Sequence, residues 1–467
     1  MTDAKTQTGA VMALIVLATV VDGMDASIVN VVLPDISRDL GMSVSSSAFV
    51  SVAYLIPIAG LCLAFSKLAE RADIRRMFLV GTAVFSLASL GCSTSSSEGM
   101  LVLMRFVQGI GATFMVATTP IMVVRLLPED HRGRGMGAIA AGSGISVIIG
   151  PTIGGLIGDV LSWHWVFLIN IPLGIALAIA AIALLPRSGP EVRARLPDVP
   201  AMLLMFVGMG LVMVSLYGFI DGYLSGPAVV AALAAGCVLV VASVIRSGRS
   251  DDPLVHLDLL RNRRFATVTL IFMASTMMGA GVMYLLPYYL SMAEGLSPFQ
   301  IGLLLAGASV ITVAMTFPTG RWCDRRGCRI PASLALALRV AFSAMLAVID
   351  PALGMGYILL VLAIMGMSFG ISGTSQSTRM LEESPDEYSG EAGSMAMMIN
   401  YVGYAFGLVA FAIVFMLLNP GGWIDFDLMG EDQFMAGFHG ACLFGSVLAA
   451  VALMASLAVR GRESRSD

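Results

Sequence analysis

Residues 66–75 read Ser66-Lys67-Leu68-Ala69-Glu70-Arg71-Ala72-Asp73-Ile74-Arg75, and residues 320–329 read Gly320-Arg321-Trp322-Cys323-Asp324-Arg325-Arg326-Gly327-Cys328-Arg329. The two stretches align an acid (Glu70, Asp324), a following base (Arg71, Arg325) and a closing arginine (Arg75, Arg329). Each joins two long apolar runs. The same charged connector in the same place, once early and once late in the chain, reads as an internal duplication. The fold is then two related halves.

Working outward from these connectors, the chain divides into fourteen apolar runs. They lie at about 10–32, 47–66, 77–93, 100–123, 136–158, 165–185, 199–220, 227–245, 266–290, 299–319, 331–349, 354–377, 390–417 and 438–459. Each meets the length a helix needs to cross a ~30 Å hydrocarbon layer at ~1.5 Å per residue. Composition agrees: the chain is 57% hydrophobic and 12% charged, with a mean hydropathy of +0.88. Soluble domains carry about 25% charge, so lipid is the expected solvent for this much apolar surface. The fold class is an all-α polytopic membrane protein. The connectors fall between runs two and three and between runs ten and eleven. Removing runs seven and eight places the second copy at the same point of a second six-helix half. The organisation is therefore a first six-helix half at 1–190, two inserted helices at 191–250 and a second six-helix half at 251–467. Residues 246–265 form a longer linker. Its Leu254, Leu257, Leu259, Leu260 and Phe265, mixed with arginines, predict an interfacial helix on the inner leaflet.

Basic residues orient the chain. With the N-terminus inside, 24 of the 27 Lys and Arg residues fall on one side. Cationic loops stay on the cytoplasmic face during insertion, so both termini are expected in the cytoplasm of a multi-pass protein of the cell (plasma or inner) membrane. Arg38 alone is outside, and Arg105 and Arg339 are left within runs. No signal-peptide cleavage pattern follows the first run. The six cysteines lie within helices or inside, with no disulfide framework and no zinc-type spacing, so no metal is expected.

Four motifs carry a resemblance. They are Asp25-Ala26-Ser27-Ile28-Val29-Asn30-Val31-Val32-Leu33-Pro34 in run one, Leu103-Met104-Arg105-Phe106-Val107-Gln108-Gly109-Ile110-Gly111-Ala112 in run four, Gly150-Pro151-Thr152-Ile153-Gly154-Gly155 in run five, and the connector at 66–76. With these the chain resembles the fourteen-helix drug–proton antiporters of the major facilitator superfamily, over essentially its whole length. It departs from the pattern where Ser66 and Asp73 replace glycine, Glu70 replaces aspartate, Ile74 replaces a base and Ser146 replaces a glycine. The resemblance implies proton-coupled export of lipophilic, cationic drugs or related compounds by alternating access. It implies no cofactor beyond the proton gradient, and partners limited to a small-molecule substrate, protons and the bilayer, in a monomer. In the family, a helix like run five packs against run ten of this chain and helps close the cytoplasmic side. Gly150, Pro151, Gly154 and Gly155 are thus gating candidates. So are Glu70, Arg71, Arg75, Asp324, Arg325 and Arg329, as inside charge clusters whose remaking biases the two access states.

Charges inside lipid are costly and mark function. The candidates are Asp22, Asp25, Arg105 and Arg339. Asp22 and Asp25 share a helix face. Asp25 and Arg105 fall at matching depths, about 8–10 Å from the outer hydrocarbon edge. Two carboxylates three residues apart cannot both ionise cheaply in a low dielectric, so one is suited to carry a proton. Asp25 is the first choice, Asp22 the second, with Arg105 as partner. A fixed structural pair between Asp25 and Arg105 is the alternative. Gln108, Tyr284, Asn400 and Tyr404 are the expected cavity residues. Arg339 has no evident partner; an anionic substrate group or an unplaced carboxylate would each serve.

Other classes fit less well. A proton symporter or facilitator of a metabolite or lipid on the same fold is the second reading, and Gly150-Pro151 argues against it. An enzyme is not expected, because His131, His164, His256 and His439 are isolated. No Gly-x4-Gly-Lys-Ser/Thr loop exists for a nucleotide, and nothing points to nucleic acid.

Overall fold

The computed structural model describes residues 2–70, 72–186, 198–220, 222–248, 259, 261–385, 389–419 and 426–459. Among them fourteen helices are long and apolar enough to cross a membrane. They are α1 (Thr2–Leu40), α2 (Val44–Ala69), α3 (Ile74–Ser93), α4 (Glu98–Leu126), α5 (Glu129–Val160), α6 in two pieces (His164–Leu168 and Asn170–Leu184), α7 (Val199–Ile220), α8 (Gly226–Ser247), α9 (Arg263–Met292), α10 (Pro298–Arg326), α11 (Arg329–Leu346), α12 (Gly354–Glu382), α13 (Ser389–Leu418) and α14 (Glu431–Ala458).

Local chemistry explains many of the boundaries. Ser97 and Ser297 cap α4 and α10, the latter reciprocally with Gln300. Asn262 caps α9. Helix α1 runs past Pro34 and stops at Gly41, whose φ of 63° is open to glycine at no steric cost. Pro172 causes the break in α6. It has no N–H for the Leu168 carbonyl and its ring crowds that group, so the helix is interrupted at Ile169 and restarts at Asn170.

The chain forms two compact units. The first is Met1–Ile36, Phe49–Phe219 and Tyr223–Leu254; the second is Ser37–Ala48, Ile220–Gly222 and Val255–Asp467. Helices α7 and α8 thus join the first unit. Phe206 of α7 lies 5.5 Å from Phe106 of α4, and Tyr217 lies 4.8 Å from Phe49 of α2. Gly208 and Gly236 meet backbone to backbone between α7 and α8. Ser243 donates to the Ala201 carbonyl at 2.6 Å, and Arg246 pairs with Asp198 at 3.0 Å.

Equivalent pairs of helices meet at equivalent places in the two units. In the first, Gly142, Gly150 and Gly154 of α5 lie on Thr19, Ser27 and Ile28 of α1; in the second, Gly403 and Gly407 of α13 lie on Thr276 and Met277 of α9. Gly109 of α4 sits on the Tyr54 backbone of α2; Gly366 and Gly370 of α12 sit on the Ala308 and Thr312 backbone of α10. Small residues let helices approach this closely where lipid supplies no hydrophobic drive. The closing arginines of the two connectors also act alike. Arg75 donates to the Leu185 carbonyl at the end of α6 (3.3 Å), and Arg329 to the Leu457 carbonyl near the end of α14 (3.0 Å). Each ties the start of its helix to the last helix of its half.

The connectors differ in their turn. Gly327 adopts φ 77° in the second copy. At the matching position Asp73 has φ −72° and caps α3, accepting from the Arg76 amide at 3.2 Å. An N-cap replaces the left-handed turn, which is why a residue other than glycine fits there. The predicted interfacial helix needs correction at two residues. Leu259 and Phe265 are buried against Val268, Phe272, Met380 and Met395 in the core of the second unit, not turned to lipid. Leu254, Leu257 and Leu260 lie outside the described residues.

Candidate functional site

The first unit holds a closed polar cluster around Asp25. Asp25 is 0% exposed and Arg105 1%. Arg105 Nη1 donates to Asp25 Oδ2 at 2.6 Å and to Gln108 Oε1 at 2.7 Å, while its Nε donates to the Val50 carbonyl at 3.0 Å. Gln108 Nε2 donates to Asp25 Oδ1 at 2.9 Å and to Ser89 Oγ at 2.8 Å. Asn170 Nδ2 reaches Asp25 Oδ1 at 2.5 Å. Helices α1, α2, α3, α4 and α6 all contribute. The helical spacing of Arg105 and Gln108 puts both on one face of α4, and the restart of α6 brings Asn170 in. Two side-chain amides and one guanidinium saturate the Asp25 carboxylate, so its charge is fully compensated in place.

Asp22, one turn earlier on α1, is different. It is partly exposed, and among the described residues its hydrogen bond is the one from Tyr54, at 2.6 Å. No ion pair reaches it among the described residues. Tyr54 links the two acids: its hydroxyl serves Asp22, and its ring lies 4.4 Å beneath the Arg105 guanidinium carbon. The Phe167 ring lies 5.6 Å from the same carbon. Cation–π contact thus joins the guanidinium to the Tyr54 ring.

The second unit contains two further groupings. Ser37, Tyr288 and Ser47 form a hydroxyl chain with links of 2.6 Å, and Tyr284 joins Ser47 at 3.3 Å. Ser45 donates to the Ala412 carbonyl at 3.1 Å, and Arg38 stacks over Phe426 at 4.9 Å. Deeper in the unit Arg339, 4% exposed, donates to the Ser275 carbonyl at 2.7 Å and to Ser372 Oγ at 3.2 Å, and lies 4.8 Å over Phe369.

The sequence-based expectations are distributed across these features. Asp25, Arg105 and Gln108 come together as one cluster, with Asp22 at its edge. Gln108 and Tyr284 are fully buried and bonded. Asn400 is exposed and Tyr404 partly so, one turn apart on α13. Of the gating residues, Glu70, Asp324 and Arg325 are exposed and enter no ion pair among the described residues; Arg71 lies outside them. Gly150, Pro151, Gly154 and Gly155 are buried. Asn170, Ser89 and Tyr54 were missed as members of the cluster. A polar residue two positions before a proline inside an apolar run was the available signal for Asn170.

The family model described as Major Facilitator Superfamily matches residues 15–408. The chain belongs to the major facilitator superfamily. Among the relatives with curated descriptions is the "Putative multidrug resistance protein MdtD" of Escherichia coli O7:K1 (strain IAI39 / ExPEC), 29% identical over 410 residues, covering 87% of this chain and 86% of the relative. The Shigella flexneri protein of the same description matches to the same extent. Among solved structures, a bacterial homologue of the human lysosomal transporter Spinster, inward-facing and unoccupied, superposes with a TM-score of 0.70 at 13% identity over 97% of both chains. A POT family transporter in complex with 5-aminolevulinic acid gives 0.71 at 14% identity over 96% of this chain and 94% of its own. These likenesses establish the transporter fold of this member of the superfamily, a multi-pass membrane protein.

Proposed function

We propose that this superfamily member is a proton-coupled exporter of lipophilic, drug-like compounds, cations among them, in the cell membrane with both termini in the cytoplasm. It acts as a monomer without a bound cofactor. The multidrug-resistance description of the MdtD relatives supports the substrate class. One observation carries the coupling. Asp25 is saturated by Arg105, Gln108 and Asn170, whereas the partly exposed Asp22 has the Tyr54 hydroxyl and, among the described residues, no counter-ion. A carboxylate that no guanidinium holds and that is partly open can take up and release a proton without breaking an ion pair. Asp22 is therefore the proton carrier in this reading, and Asp25–Arg105 is the fixed charge pair beside it.

Protonation of Asp22 removes the negative charge that Tyr54 serves. It weakens a short, charge-assisted hydrogen bond and loosens the ring on which Arg105 rests. Loss of the proton restores both. The proton state of α1 is thereby passed to α2 and α4.

The test uses proteoliposomes carrying an internal pH dye, with ethidium as substrate. The wild type moves protons against ethidium flux. Asp22→Asn retains ethidium exchange at equal pH but loses substrate-driven proton movement. Undiminished proton movement in Asp22→Asn would overturn the assignment, and its loss in Asp25→Asn with a stably folded protein would return the role to Asp25.

A further inference from the structure

Among the described residues three arginines are almost wholly buried: Arg105, Arg339 and Arg379. Arg105 has Asp25. Arg379 has Glu382 and Glu383 within electrostatic reach, and donates to Ser456 and to the end carbonyls of α14. Arg339 has no acidic partner among the described residues. A charge enclosed this way without a counter-ion costs several kcal/mol. Backbone clamping does not need a permanent charge, because a neutral amide also donates to a carbonyl.

The surroundings of Arg339 leave two buried polar atoms unpartnered. Its Nε has no hydrogen-bond partner, and neither does Gln376 Oε1 nearby. Nε and Nη2 form the side-on edge of a guanidinium, the edge that holds a carboxylate through two parallel hydrogen bonds. Nε is free, and Nη2 has one long bond, 3.2 Å, to the hydroxyl of Ser372. Ser275 and Gln376 continue the polar lining: Gln376 Nε2 donates to Ser275 Oγ at 2.9 Å, and Ser275 Oγ lies 3.1 Å from Ser372 Oγ. The Gln376 amide can turn over and present donors in place of its unpartnered oxygen. Beside this edge the wall is apolar. Phe369 lies under the guanidinium, Phe342 meets Phe369 edge-on at 6.0 Å, and Met278 Sδ is 3.8 Å from Nη1. Gly279 bares the α9 backbone at the same point; a Cβ there would fall 2.7 Å from Arg339 Nη1.

We infer that Arg339, with Ser275, Ser372 and Gln376, is a binding site for the carboxylate of a lipophilic substrate. The export reading of the preceding subsection is thereby extended to acids borne on an apolar scaffold. The inference rests on that reading only for the direction of transport; binding itself is independent of proton coupling.

The experiment therefore reads binding. Dansylglycine and its methyl ester, which share the dansyl scaffold and differ by the carboxylate charge and one methyl group, are titrated into purified protein in detergent and followed by dansyl fluorescence. The wild type binds the acid at least tenfold more tightly than the ester. Arg339→Met collapses that ratio toward one, and Arg339→Lys keeps part of it. A wild type that binds the ester as tightly as the acid overturns the proposal, and this arm needs no variant to fold. So does an acid-to-ester ratio unchanged in a monodisperse Arg339→Met protein. Displacement of the acid by millimolar chloride at a matching affinity would assign the site to a small inorganic anion and would likewise overturn it. Proton movement is measured separately with the pH dye, so a failure of coupling leaves the binding result intact.

Discussion

Arg105 shows how much one side chain is asked to hold. It reaches α1 through Asp25, α2 through the Val50 carbonyl and the Tyr54 ring, and its own helix through Gln108. Arg105→Met leaves Asp25 buried with its principal counter-charge gone. Breaking a buried pair from one side costs about 3–5 kcal/mol, far more than removing both partners. Arg105→Met is expected to unfold at markedly lower temperature in detergent, and the double variant Arg105→Met/Asp25→Asn to recover most of that loss. A double variant as unstable as the sum of the two singles would show that the pair is not a unit. The sequence made this pair legible because two opposite charges at matching depth in lipid have few other partners. Asn170 was not legible in the same way, because an amide in an apolar run carries no depth-matched partner to point at. Motif and depth both point to Asp25 over Asp22, and neither distinguishes a saturated carboxylate from one without a counter-ion.

At the scale of elements, glycine position matters more than glycine number. The chain has fifty glycines, yet along α5 only some are in contact. A Cβ at Gly154 would fall 2.6 Å from Ile28 Cγ1 and 2.9 Å from the Ile28 carbonyl of α1, and backbone cannot step aside as a side chain can. At Gly137 a Cβ would meet nothing within 4 Å. Gly154→Val is expected to lower the yield of folded protein and its melting temperature by several degrees, while Gly137→Ala is close to neutral. Equal effects of the two, measured by size-exclusion thermal stability, would reject this packing account. The glycine run itself was readable as a close-packing surface. Its partner within the first unit, α1, was not, because a stripe of small residues does not say which neighbour fills it.

For the whole molecule, the duplicated connector proved to mark a duplicated contact. Arg75 and Arg329 each tie the first helix after their connector to the last helix of their half. Arg75 is half-buried and Arg329 exposed, so the two bonds are worth different amounts. Arg75→Met removes a partly shielded hydrogen bond worth about 0.5–1.5 kcal/mol, and Arg329→Met removes a solvent-screened one of smaller effect. Because the sites lie in separate units, the losses are expected to add in the double variant. A double variant much less stable than that sum, in detergent thermal melts, would mean the two connectors act together.

Membrane solvation made much of this protein legible from its sequence. Lipid demands apolar runs of fixed length, so the helix count and the few intramembrane charges follow from residues alone, and the repeated connector is legible as a duplicated element. Their consequences needed the tertiary structure. Whether a buried charge is saturated depends on donors from helices distant in sequence, such as Asn170 on Asp25. Whether it is left open depends on the lack of a counter-ion among the described residues, as at Asp22 and Arg339. Compensation of charge is a property of three-dimensional neighbours, and no one-dimensional pattern records it.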